Sequence, residues 1–361
     1  MTTIKVNTIT NAAGTGAPNI PDGILIKGAT LANTNTLDYY AQGTQPSSPN
    51  NAAVWYDTGT DKFKMYVGGA WVEVESSKIP LLFGGGDRAV FGGDMGPSNV
   101  MEYISIPTES NSTDFGDLTV SRFRAAACSN NSRGIFAGGT TGATSNVIDY
   151  ITIGTVGNAT DFGDLQLGKR DFGACSDTTY GVFSGSSARF YYDYITIGTL
   201  GNSTTFGSLT ASISDARSCS DGTYGLTGGG YEGLNTIEYI TIATPGNGAD
   251  FGDLTVGRHT HSACSDKTYG LFGGGSRGFS GPLDNTIDYV TIATPSNATD
   301  FGDLTAAKEG LAATSNGTRG VFGGGYTFNT IDYVTISTPG NATSFGTFPA
   351  ARDWTAACSG D

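Results

Sequence analysis

From residue 99 to the C-terminus the chain alternates polar and β-branched positions in short runs, as in Asp288-Tyr289-Val290-Thr291-Ile292 and Glu238-Tyr239-Ile240-Thr241-Ile242. This period of two marks a strand with one buried face, and no segment carries a convincing helical period. Three other patterns accompany each run. A segment ending in Cys-Ser (Cys128, Cys175, Cys219, Cys264, Cys358; Thr314-Ser315 in one copy) precedes a short polar turn. An apolar run closed by glycines follows, as at 133–139, 269–275 and 319–325. After the alternating run, a Pro/Gly-Asn-Ala-Thr turn leads into "DFGDL", a short fourth strand that brings a Phe and a Leu to a packing layer.

A phrase that reads roughly "IDYVTIATPGNATDFGDL" recurs six times, with its Phe at Phe115, Phe162, Phe206, Phe251, Phe301 and Phe345. The gaps of 47, 44, 45, 50 and 44 residues fit four-stranded propeller blades and exceed leucine-rich or ankyrin units. A single four-stranded unit has two edges and two faces to cover, so six are expected to pack radially into a closed ring. The first unit begins at a second strand, Arg88–Gly93, and the last residues, 353–361, form a first strand with nothing after it. The two ends are therefore expected to share one blade. "LLFGGG" at 81–86 also reads as a second strand and leaves the entry into the ring open.

The repeat resembles the kelch family of β-propellers: a di-glycine after the second strand, a Tyr on the third, an aromatic on the fourth and a basic residue near the next unit. Gly138-Gly139, Tyr150, Phe162 and Arg170 occupy that order, with Phe where the family usually has Trp. The expected fold is all-β, a six-bladed kelch-like β-propeller over 80–361 with a small N-terminal β module at 45–79 and an extended segment at 1–44.

The first 78 residues differ in kind. "NTITNAAGTGAPNIPDGI" at 7–24 and the Ser/Pro/Asn-rich stretch at 43–53 lead into a hairpin at 54–75, which is too small to stand alone. Val54, Tyr56, Phe63, Met65, Val67, Val72 and Val74 are expected on one of its faces. This opening and the "WYDT…W" hairpin resemble bacteriophage tail-fibre and related virion proteins. The resemblance implies a virion protein whose N-terminus attaches to other virion proteins and forms a homo-oligomer, commonly a trimer. The propeller would then project toward a host surface glycan or protein. The runners-up are a capsid or neck decoration protein and a glycan-cleaving propeller enzyme.

Charge narrows the partners. Nineteen bases against 33 acids give a net charge of −14 with no run of Lys and Arg, which argues against nucleic acid. No apolar stretch of about 18 residues is present, so no membrane insertion is expected. The polar N-terminus lacks the apolar core of a signal peptide, and assembly in a bacterial host cytoplasm is expected. Five cysteines at one repeat position point to packing in place of disulfides.

No catalytic residue, cofactor or metal is expected. The two histidines, His259 and His261, read as a solvated loop pair without a third ligand. The Asp-Phe-Gly-Asp pairs (Asp114/Asp117, Asp161/Asp164, Asp250/Asp253, Asp300/Asp303) could hold calcium but fit turn-capping better. The Asn-x-Thr triplets at Asn111, Asn158, Asn202, Asn297 and Asn341 read as turns. Turns between first and second and between third and fourth strands repeat almost verbatim, whereas the other loops vary. The individual face carries Phe190, Tyr191, Tyr231, Arg277, Phe279, Tyr326 and Phe328, the candidate receptor-binding residues.

Overall fold

The computed structural model describes residues 87–130, 132–186, 191–210, 213–278 and 280–360, together with the backbone of six short strands before them. Every helix or strand among the described residues is a strand. The chain divides into two compact units, Met1–Leu82 and Phe83–Asp361.

The first unit contains a two-stranded pair, Leu25–Ile26 with Ala29–Thr30, and a four-stranded sheet in the order Tyr39–Gln42, Val54–Asp57, Lys62–Val67, Ala70–Val74. The segment expected as a hairpin therefore forms three antiparallel strands, and Tyr39–Gln42 joins them in parallel, with Tyr40 opposite Trp55. The added strand lies before position 45, where the small module was expected to begin. A wider sheet pairs more of its backbone than a lone hairpin. The face expected for the hairpin side chains and the "LLFGGG" segment fall outside the described residues.

The second unit is a six-bladed β-propeller. The blades run, from first to fourth strand, as follows. Blade II comprises Ala126–Ser129, Arg133–Ala137, Val147–Thr152 and Thr160–Asp164, and blade III Ala174–Ser176, Tyr180–Phe183, Tyr191–Thr196 and Thr204–Ser208. Blade IV comprises Arg217–Ser220, Tyr224–Gly228, Thr236–Thr241 and Ala249–Asp253, and blade V Ser262–Ser265, Tyr269–Gly273, Thr286–Thr291 and Thr299–Asp303. Blade VI is Leu311–Ser315, Arg319–Gly324, Thr330–Thr335 and Thr343–Thr347. Blade I is composite: the C-terminal strand Ala356–Ser359 lies beside Arg88–Gly92, Ser98–Ser105 and Thr113–Arg122, with Cys358 opposite Val90. The first and last strands of this unit thus close the ring without a covalent bond.

Each blade carries a β-bulge at the same place between its third and fourth strands, blade I having a second at Ser98/Val100, and the shared one explains why Phe recurs. In blade II, Ile148 pairs with Gly163 and Asp149 with Asp161, so Phe162 is skipped and turns inward. The same shift falls at Met101/Glu102, Tyr192/Asp193, Ile237/Glu238, Ile287/Asp288 and Ile331/Asp332. The bulged Phe meets the third-strand Tyr edge to face, as in Tyr150–Phe162 at 6.1 Å and Tyr289–Phe301 at 5.8 Å. On that Tyr rests an Arg in three blades, Arg88, Arg133 and Arg319, each 4.5 Å from the ring centre. A second Tyr takes its place in the other three, as in Tyr224–Tyr239.

The bulge also brings consecutive apolar and acidic residues inside, which strict alternation would forbid. The buried acid meets a base from the end of the preceding blade: Arg122–Asp149 at 2.5 Å, Lys169–Asp193 at 3.1 Å, Lys308–Asp332 at 2.9 Å and Arg352–Glu102 at 3.1 Å, with Arg258–Asp288 the fifth. Lys169, and not the neighbouring Arg170, fills the basic position of the repeat; the Arg170 side chain is 48% exposed. At the sixth junction Ile213 stands in the basic position. There Glu238 accepts the backbone N–H and hydroxyl of Thr210, and Tyr192 replaces the usual aliphatic residue beside it. Burial, then the Glu238 charge, pushes the Tyr192 phenol well up.

Candidate recognition face

Two series of hydrogen bonds define the ends of the propeller axis. At the end of the short repeated turns, five of the six inner-strand serines donate their hydroxyl to the carbonyl of the same position in the preceding blade. Ser176 reaches Ser129 at 2.6 Å, Ser220 reaches Ser176 at 2.7 Å, Ser265 reaches Ser220 at 2.6 Å and Ser359 reaches Ser315 at 2.5 Å; Ser315 bonds Ser265 likewise. At the opposite end the backbone itself closes a circle. The N–H of Arg124 donates to Trp354, Asp171 to Arg124, Asp215 to Asp171, Thr260 to Asp215, Gly310 to Thr260 and Trp354 to Gly310, over 2.8–3.3 Å. All six residues have positive φ, and five are not glycine. Such conformers persist only where the surroundings impose them.

The repeated polar residues are spent on blade junctions. The Asn of each third-to-fourth-strand turn accepts a backbone N–H from the preceding blade's fourth strand: Asn158 from Asp117, Asn202 from Asp164, Asn247 from Ser208, Asn297 from Asp253, Asn341 from Asp303 and Asn111 from Thr347, all at 3.0–3.1 Å. The glycine of Asp-Phe-Gly-Asp lets this turn approach: a β-carbon on Gly163 would lie 2.5 Å from the Gly201 carbonyl oxygen. The five cysteines are buried and free, and burial pushes the Cys175 thiol up to about 12, which leaves it a neutral packing group.

What does not repeat gathers on the other face. Tyr231 and Tyr326 hold equivalent positions after the second-strand glycines of blades IV and VI, 41% and 51% exposed. Their N–H groups bond the carbonyls of Ser214 and Glu309 in the preceding connections. Met95 is the third exposed member of this rim, its N–H on Asp353. Arg277 extends from blade V with its guanidinium 2.7 Å from Asp284. Burial raises the Asp284 pKa, but Arg277 and the N–H of Thr286 outweigh it and hold the carboxyl down to about 2.

Two expected residues are less available than the sequence implied. Tyr191 is half-buried under the Lys169 ammonium, 4.6 Å from its ring centre, and Phe328 is half-buried beside Lys308. Phe190 and Phe279 lie outside the described residues. The histidines correct the sequence reading outright: they are not solvated. His259 is 8% exposed with its ring against Tyr231, and His261 is wholly buried against Phe272. Burial, followed by the charges of Arg258 and Arg217, holds the His261 imidazole well below its usual range. The repeats aligned with each other carry the signal, because His261 shares a column with Ala125, Phe172, Ala216, Leu311 and Thr355.

Sequence reasoning also missed the residues nearest the axis. Arg124 sits 4.1 Å over the Trp354 ring and 2.9 Å from Asp171. Asp353 is 6% exposed, and neither carboxylate oxygen has a hydrogen-bond partner by distance and angle. Burial, reinforced by Asp94 and Glu309 against the Trp354 N–H, pushes it up to about 7. Within the ring of positive-φ residues lies an axial cavity bordered by 125–127, 172–174, 217–218, 262–263, 311–313 and 355–357. No protein-family model matches the chain, and no curated protein matches it either.

Proposed function

We propose that this protein is a bacteriophage virion appendage of the kelch-like propeller kind, whose individual face recognises a glycan or protein on a host surface. One observation carries the recognition reading: once the repeated Asn, Gly, Cys and ion-pair residues are assigned to blade junctions, the exposed aromatics Tyr231 and Tyr326 remain, at equivalent places on one face. Exposed aromatic rings amid polar loops suit sugar stacking or protein contact. The di-glycine, the third-strand Tyr and the fourth-strand Phe support the kelch-like part. The virion part rests on the N-terminal motifs, which would attach the chain to the particle as a trimer, so that weak single contacts sum to avidity. The mechanism is adhesion without chemistry.

The test is adsorption of the full-length protein to a panel of bacterial strains and, separately, to purified phage particles. Adsorption to cells that falls at least tenfold in Tyr231→Ala/Tyr326→Ala supports host recognition. Binding to particles with none to cells moves the reading to a decoration protein. Release of sugar from host polysaccharide would place the chain among enzymes instead.

A further inference from the structure

Two positions before the repeated Cys, or Thr314 in its place, five blades carry small residues: Ala126, Gly173, Ser262, Ala312 and Ala356. Blade IV carries Arg217. A guanidinium where every equivalent residue is small has to go somewhere, and Arg217 borders the axial cavity and is only half-buried. It has five N–H donors. One, on Nη1, meets the Ala216 carbonyl at 2.9 Å. Asp171, already held by Arg124, and Asp215, which accepts the Ser214 hydroxyl at 3.3 Å, act on Arg217 through space without an ion pair to it among the described residues. Ser262 and Ser218, whose hydroxyl is 2.9 Å from that of Thr227, line the same cavity.

We propose that the axial cavity binds a small oxyanion, a carboxylate or phosphate-type group, through the Arg217 guanidinium, with Ser218 and Ser262 as further donors. A planar fork bordering the cavity, with one of its five donors accounted for, matches two oxygens of such a group. The alanines and Gly173 around it leave the room that a second long side chain would fill. This site is separate from the aromatic rim and stands whether or not the rim meets a host.

Thermal unfolding and calorimetric titration of the full-length protein test it, with inorganic phosphate, sodium glucuronate and neutral glucose as probes at constant ionic strength. A ligand that binds only the folded state raises the melting temperature with concentration. We expect phosphate, glucuronate or both to raise it in the wild type, glucose not to, and Arg217→Ala to respond to none. Phosphate acting alone assigns the cavity to a free ion, and glucuronate acting assigns it to the carboxylate of an acidic sugar. Arg217→Gln, neutral and still polar, serves if the alanine variant does not fold. No shift with either anion, or an equal shift in the neutral variants, overturns the proposal. Cell adsorption of the rim variants is read separately, so either idea can fail alone.

Discussion

The thiol of Cys128 in blade II fills the space beside Gly181 of blade III, where a β-carbon would lie 2.8 Å from the sulfur. The pairing repeats around the ring: Cys175 with Gly225, Cys219 with Gly270, Cys264 with Gly320 and Cys358 with Gly134. At the sixth junction both partners change together. Thr314 stands in the cysteine position, with its hydroxyl 2.9 Å from that of Ser359, and Ala89 stands in the glycine position. A side chain on one blade thus specifies an absence on the next.

Gly181→Ala should therefore destabilise the propeller by about 1–3 kcal/mol, the usual cost of overpacking a filled interface. Cys128→Ala in the same chain should recover part of the loss by making room. Urea unfolding of the two single variants and the double variant gives the coupling; additive losses would mean that the two residues do not share the space.

The junction ion pairs predict a different asymmetry. Arg122→Met leaves Asp149 buried without its base and should cost about 3–5 kcal/mol, whereas Arg122→Met/Asp149→Leu should regain most of it. Equilibrium denaturation resolves the two cases, and equal losses would show that the pair matters through packing alone.

Much of this was legible in the sequence, and the limits have a common cause. The bulged Phe, the di-glycine and the cysteine serve the same contact six or five times, so repetition makes them visible. Arg217, at the start of an inner strand, and His261, Asp353 and Trp354, in the connections before inner strands, each occur once, and a single occurrence carries no period. Their burial follows from ring closure, which brings six short connections to one axis. The histidines were misread for this reason: a polar loop on one blade is solvent-facing, but six loops around an axis cover one another. Lys169 was passed over for Arg170 because both are basic and adjacent; only the spacing from the repeated Phe puts Lys169, and not Arg170, in the column of Arg122, Arg258, Lys308 and Arg352.

The Asn turns give a milder prediction. Asn202→Ala removes one acceptor from the Asp164 N–H at an exposed site, where water can replace it, so the loss should stay near 1 kcal/mol or below. Hydrogen exchange should rise at Asp164 and hardly at all in the inner strands. Uniformly faster exchange would mean that one latch holds the whole ring.

Two buried groups should tilt stability with pH in opposite directions. His261 has a folded-state pKa lowered from the ordinary value near 6.5, chiefly by burial. The unfolded chain therefore takes up a proton that the folded one refuses. Stability from this group is complete above about pH 6.5 and falls as pH drops below it, by at most about 1.4 kcal/mol per unit. Asp353 is raised to about 7, so the folded chain holds its proton longer than the unfolded one, and stability falls as pH rises from about 4 to 7. Asp353→Asn should thus stabilise the protein by about 1–3 kcal/mol above pH 7, as expected for a buried carboxylate without a partner, and the gain should vanish near pH 4. His261→Leu, the residue found at the equivalent position 311, should instead flatten the acid limb below pH 6.5. Melting curves of the wild type and both variants between pH 4 and 8 separate the two. A gain in Asp353→Asn that did not change with pH would mean the aspartate acts through its shape and not its charge.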